Sequence, residues 1–177
     1  MNVRTALAQE ARGLESIFAS RRPYETAVRH ARWTEGPINL IGAGPARLAG
    51  LAGAWLLEWL LGWPAAARSV AAFRHYSIPM LRPRSLLIVI SPSGAGEETI
   101  EAVRLAQKHG ARVLAMSRDP ASPLAQMATD LFLLPGEDEA PPQIATPFLE
   151  HAAMVYVGLA ASSTFNPRHP VVDDMEE

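Results

Sequence analysis

Apolar residues along this chain follow two rhythms. Short unbroken runs, Ile38 to Ala43 (INLIGA) and Leu86 to Ile90 (LLIVI), have the length and aliphatic content of strands covered on both faces. Between them, apolar positions recur every three or four residues, the spacing of helices with one buried stripe. Asn2 to Ser20 predicts a helix contributing Leu7, Leu14, Ile17 and Phe18, and Pro23 to about Trp33 predicts a second, before Gly36-Pro37 breaks the pattern. Ala46 to Leu61 predicts a helix carrying only two charges, Arg47 and Glu58, so both of its faces are expected to be covered. A weaker strand is read at Ala66–Ala72, passing into Phe73-Arg74-His75-Tyr76 as a loop or short helix.

The central stretch is a βαβ unit. After Ile90 comes the turn Ser91-Pro92-Ser93-Gly94-Ala95-Gly96. A helix follows, with Ile100, Val103 and Ala106 inward, Glu97, Glu101, Arg104 and Lys108 outward, and Gly110 as its stop; Val113 to Met116 then opens the next strand. Ser122-Pro123 is an N-cap with proline at the first helical position, for a short helix to Ala128. A last strand is expected at Leu131–Leu134 and an acidic, proline-bearing loop from Pro135 to Thr146. Thr146-Pro147 repeats the cap and opens an almost wholly apolar helix to about Ala161. The expected fold is α/β, a three-layer sandwich around a five-stranded parallel sheet of flavodoxin-like order 2-1-3-4-5. In that order the turns after Ala43 and after Ile90 face each other across one crevice. The expected organisation is N-terminal helices over 1–35, the domain proper over 36–165 and an acidic tail over 166–177.

Composition narrows the function. A formal charge of -2 without a long basic run excludes nucleic acid as the main expected partner. The absence of cysteine removes thiolate and disulfide chemistry and fits a reducing cytoplasm. No membrane association is expected: the apolar run Trp55–Trp63 is broken by Glu58, ended by Pro64 and too short to span a bilayer. Histidines and acids show no metal-ligand spacing. Gly42-Ala43-Gly44 follows a strand, but Arg47 stands where a dinucleotide fingerprint needs its third glycine.

The turn after Ile90 fits an anion. Free N–H groups at the start of a helix, with the hydroxyls of Ser91 and Ser93, can hold a phosphate, and Gly94 and Gly96 permit close backbone approach. A Ser/Gly turn between strand and helix also serves as ordinary capping, and both readings stand at this point.

Between Ile38 and Ala161 the chain resembles a sugar isomerase (SIS) domain, a phosphosugar-binding module. The strongest elements are Leu87-Ile88-Val89-Ile90-Ser91-Pro92-Ser93-Gly94, Ala106-Gln107-Lys108-His109-Gly110-Ala111 and Val113-Leu114-Ala115-Met116-Ser117. Ser122 to Ala125, Ala128-Thr129-Asp130 and Gly42-Ala43-Gly44 support it. The resemblance implies a single-module phosphosugar isomerase without metal or cofactor, or a non-catalytic sugar-phosphate sensor. It also implies a homodimer or homotetramer, which the tryptophans at 55, 59 and 63, four residues apart along one helix side, would suit as a subunit interface. Departures are visible. Gly96 stands where the family commonly has threonine, and Pro45-Ala46 stands where the first turn often carries hydroxyls or arginine.

Aldose–ketose isomerisation through an enediol needs a base that moves a proton between two carbons and an acid that serves the oxygens. Ile144-Ala145-Thr146-Pro147-Phe148-Leu149-Glu150 is similar to the Gly-Thr-x-Phe-Glu segment of single-module hexulose-phosphate isomerases, which makes Glu150 the candidate base. Its apolar helix would raise its pKa. His75, after the second strand, is the candidate acid. Ser91, Ser93, Gly94 and Gly96 are the candidate phosphate cradle, with Gly44, Arg47 and Thr146 lining the sugar.

Overall fold

The computed structural model describes residues 3–19, 28, 37–135 and 146–166. Five parallel strands form one sheet in the order β2-β1-β3-β4-β5. These are β1 (Ile38–Gly42), β2 (Ala65–Ser69), β3 (Leu86–Ile90), β4 (Arg112–Ser117) and β5 (Asp130–Leu133). Register runs without a slip across the centre: Leu40 pairs with Ile88, and Ile88 with Leu114. Every residue of β1 and β3 is buried, as their continuous apolar runs require.

Alternation along the strands divides the core in two. On one face Leu40, Ile88, Ile90, Leu114 and Met116 pack under α1 (Val3–Ala19), α2 (Pro45–Leu61) and α6 (Thr146–Phe165). On the other, Ile41, Leu87, Val89 and Val113 pack under α3 (Val70–Ala72), its π-turn continuation Phe73–Ser77, α4 (Glu97–Lys108) and α5 (Pro123–Met127). Each aliphatic side chain so enclosed is worth about 1.5–3 kcal/mol of transfer free energy.

α2 and α6 lie side by side and run the same way. Gly53 faces Met154, Gly158 faces Leu56, and Asn166 Nδ2 donates to the Leu60 carbonyl at 2.7 Å. Since α2 starts beyond the carboxyl end of β1, α6 starts at that edge too. This fixes the level of Glu150.

Several expectations shift. The second strand is Ala65–Ser69, not Ala66–Ala72, because the Ser69 hydroxyl accepts from the Ala72 amide at 3.2 Å and starts a helical segment. The strand INLIGA stops at Gly42, leaving Ala43 in the turn. The last helix continues to Phe165 rather than Ala161, its final turn stabilised by Thr164 Oγ1 donating to the Ala160 carbonyl at 2.9 Å. α2 ends at Leu61 with Gly62 in the left-handed conformation (φ 69°). Trp63 therefore leaves the helical stripe and packs on Phe165, ring centroids 5.6 Å apart. On α4 the buried residues are Thr99, Ala102, Val103 and Ala106, and Ile100 is only half-buried. The predicted helix Pro23–Trp33 (apart from buried Val28), the body of the acidic loop and the tail lie outside the described residues.

Candidate functional site at the carboxyl edge of the sheet

The turn after β3 is held mainly by main chain. The Ser91 amide donates to the Met116 carbonyl at 3.0 Å, continuing the β3–β4 ladder, and the Gly94 amide returns to the Ser91 carbonyl at 2.9 Å. Gly94 has φ 59°, and a Cβ there would lie 2.6 Å from Ser122 Cβ and 2.9 Å from Ser117 Oγ. Only glycine meets both demands. The turn also interlocks with the one that follows β4. Pro92 offers its carbonyl to the Arg118 amide at 2.9 Å and to the Ser117 hydroxyl at 3.2 Å, while the Leu124 amide donates to the Gly94 carbonyl at 3.0 Å. Ser117 and Ser122 are hydrogen-bonded through their hydroxyls at 3.3 Å.

This clamp leaves the start of α4 open. Gly96 is the N-cap residue and provides no side-chain cap, so the first amides of the helix keep their donor capacity. Ser91 is half-buried; exposed Ser93 accepts from the Ala95 amide at 3.5 Å. The candidate cradle Ser91, Ser93, Gly94 and Gly96 is thus one continuous turn at a helix N-terminus, a geometry suited to an anion. Glu97 and Glu98 are exposed in the first helical turn.

Across β1, Gly44 is exposed with φ 56° and ψ -129°, and nothing lies within 4 Å of a Cβ placed there. Its glycine serves the backbone conformation rather than space. Arg47 is exposed in the first turn of α2, its amide 3.2 Å from the Gly44 carbonyl. Thr146 is the first residue of α6.

Glu150 is the unusual group. It is only 2% exposed, and Oε2 is buried with no hydrogen-bond partner. Burial pushes its carboxyl up to about 7, partly opposed by the positive charge of Arg118. Arg118 is half-buried immediately beyond β4, at the same sheet edge. Read in sequence as part of a plain turn, it is the site residue that pattern alone misses. The usable signal was its place at the carboxyl end of a parallel strand.

The structure does not bring His75 to Glu150. His75 is exposed on the π turn, next to Tyr76 (ring centroids 6.4 Å apart), on the layer covering the face opposite α6. The adjoining Arg74 forms an ion pair with Glu101 of α4 at 2.8 Å. His151 is half-buried beside Glu150 in sequence. Among the described residues there is no group of three or more His, Cys, Asp or Glu that could hold a metal ion, and no helix long and apolar enough to cross a membrane.

Comparison with known proteins gives this geometry relatives. The SIS domain profile matches residues 33–165. A glutamine–fructose-6-phosphate aminotransferase (isomerizing) of Clostridium tetani is 36% identical over 94 residues, which are 53% of this chain and 15% of that protein. The chain thus spans only a small part of the length of such relatives. An Escherichia coli CFT073 protein solved in complex with a phosphosugar superposes with TM-score 0.79 at 17% identity, covering 99% of both chains. The Vibrio vulnificus NanR protein complexed with ManNAc-6P gives TM-score 0.72 at 19% identity, covering 97% of this chain and 65% of that one. At these identities the structural likeness establishes the fold.

Proposed function

The chain belongs to the SIS domain family, and from that premise we propose that its carboxyl-edge crevice binds a phosphorylated sugar and interconverts its aldose and ketose forms through an enediol. The observation that carries the reading is Glu150, a buried carboxyl with an unpartnered oxygen and a pKa near 7, at the sheet edge that also holds the open start of α4. In the proposed complex the Ser91 and Ser93 hydroxyls and the first amides of α4 hold the phosphate. Gly44, Arg47 and Thr146 line the sugar. Glu150 removes the proton from one carbon and returns it to the next, a step that needs neither metal nor redox cofactor. A base is most effective with its pKa close to the working pH. The exposed position of His75 gives it no part in this step, so proton transfer at carbon rests on Glu150 alone.

The first test is thermal unfolding with hexose, pentose and N-acetylamino sugar phosphates beside the free sugars and inorganic phosphate. Selective binding to the folded state raises the midpoint. A shift of several degrees with one phosphosugar is expected, and no shift at millimolar concentrations removes the proposal.

One observation favours a second reading, a sensor that binds without turnover. Gly96 lacks the hydroxyl that the resemblance puts there, and Pro45-Ala46 is poor in polar contacts. Gly96 has ordinary φ (-66°), and a Cβ would meet only Thr99 Oγ1 at 3.4 Å. Gly96→Thr is therefore expected to fold normally and to tighten phosphosugar binding about tenfold, the scale of one added hydrogen bond to a charged group, as read by titration calorimetry. Unchanged affinity would mean that the phosphate does not sit over this helix start.

We propose further that two copies associate through α2, and that the protein works in the cytoplasm, where the lack of cysteine is at home. Leu48, Leu51, Trp55 and Trp59 form an exposed stripe on α2, the tryptophans 66% and 60% exposed. A contiguous apolar surface of this kind marks an interaction site. Light scattering is expected to find a dimer or tetramer for the native chain and a monomer for Trp55→Glu/Trp59→Glu. A native monomer would refute the association.

A further inference from the structure

We infer that the chain carries a second small-molecule site, at the amino edge of the sheet, built for a ring-sized monocarboxylate. A cavity of about 170 Å³ opens there between β1, β2 and the segment that follows the π turn. It lies away from the crevice of Glu150: its floor is Pro37 and Pro64, which precede β1 and β2, whereas the proposed sugar site lies beyond the opposite ends of the strands.

The cavity exists because of three sequence choices. Asn39 is the one polar residue of β1, 8% exposed and on the face of Ile41. Its register partner on β2 is Ala66, a methyl where the inner strands carry Leu87 and Val113 at this level, so the edge of the sheet is left unfilled. Ser77 closes the π turn over the gap, buried, with a hydroxyl that has no hydrogen-bond partner. A π turn costs hydrogen-bond geometry and occurs most often at functional positions. Leaving a buried hydroxyl unpaired costs a further 1–3 kcal/mol or so.

Charge selects the ligand. Arg68 projects from β2 on the same face, two residues beyond Ala66, and is exposed with no carboxylate partner among the described residues. The remaining wall, including Leu81 and the Pro37 and Pro64 rings, is apolar. A cavity of about 150 Å³ takes a benzene-sized molecule. One ring therefore fits the apolar wall, a carboxylate on it reaches the Arg68 guanidinium, and Asn39 and Ser77 offer hydrogen bonds to its oxygens. A guanidinium and a carboxylate match in a bidentate geometry.

Benzoate is the probe, with benzamide as its neutral isostere, titrated against the full chain by ligand-observed NMR. Saturable benzoate binding is expected, at least fivefold tighter than benzamide. Arg68→Gln, an exposed change that leaves the core intact, should erase that preference, and Ala66→Leu, which fills the cavity, should abolish binding of both while a bound sugar phosphate is unaffected. Absence of saturation up to about 10 mM overturns the site. So does equal binding of benzamide and benzoate, or benzoate binding that survives both variants.

Discussion

Glu150→Gln is expected to lower isomerase turnover by about 10³-fold, the usual scale for losing a positioned base, while leaving sugar-phosphate binding within about twofold. Glutamine keeps the size and one acceptor oxygen but cannot take a proton, so a purely structural or sensing role predicts no such split between binding and turnover. Stability supplies an independent readout. Burial raises the carboxyl from its ordinary 4.5 to about 7 in the folded chain. Between those values the folded protein holds a proton that the unfolded chain has released, so stability falls as pH rises from about 4.5 and levels off above about 7. At 1.36 kcal/mol per pKa unit the loss is about 3 kcal/mol at pH 8.5. Glu150→Gln should remove that slope and be the more stable protein in alkaline buffer, by roughly that amount in urea unfolding. A variant with the same slope as the parent would show that Glu150 is not the buried acid. Activity in the parent should rise through pH 7 as the base is freed.

The second large effect is expected at Gly94. Alanine there would bear a left-handed φ of 59° and push its methyl into Ser122 and Ser117. The backbone cost alone is about 1–2 kcal/mol, and displacing the Ser117–Ser122 pair adds more, so Gly94→Ala should lose about 3 kcal/mol in urea unfolding and all measurable phosphosugar affinity. Gly44→Ala separates the two contributions. Its φ is also positive, but no atom stands in the way of the methyl, so it should show the backbone cost without the clash. Equal losses at the two positions would mean that the interlocked turns are not what makes Gly94 necessary.

The layered architecture was legible because long apolar runs and cap signatures such as Ser122-Pro123 leave little choice of element. β2 was misplaced because Ala65 to Ala67 has neither branched nor aromatic residues to set its ends; the boundary depends on one Ser69 hydroxyl capping Val70–Ala72. Within the site, Glu150 was readable as an acid on an apolar helix. Its proximity to Arg118 was not, since the two lie 32 residues apart and meet only because α6 starts at the edge where β4 ends. His75 failed for the opposite reason. It was placed by its distance from a strand end, and a π turn carried it onto the other layer.

The interlock between the two turns also bears on how such a domain changes its diet. Pro92, Gly94, Ser117 and Ser122 hold one turn to the other through carbonyls, amides and two buried hydroxyls. The exposed side chains at Ser93, Ala95 and Gly96 take no part in that linkage. Positions that face the ligand are thereby uncoupled from positions that hold the turn together. Drift at 93, 95 and 96 alters what is recognised without a toll on folding, so a lineage can trade one sugar for another, or catalysis for sensing, on an unchanged frame.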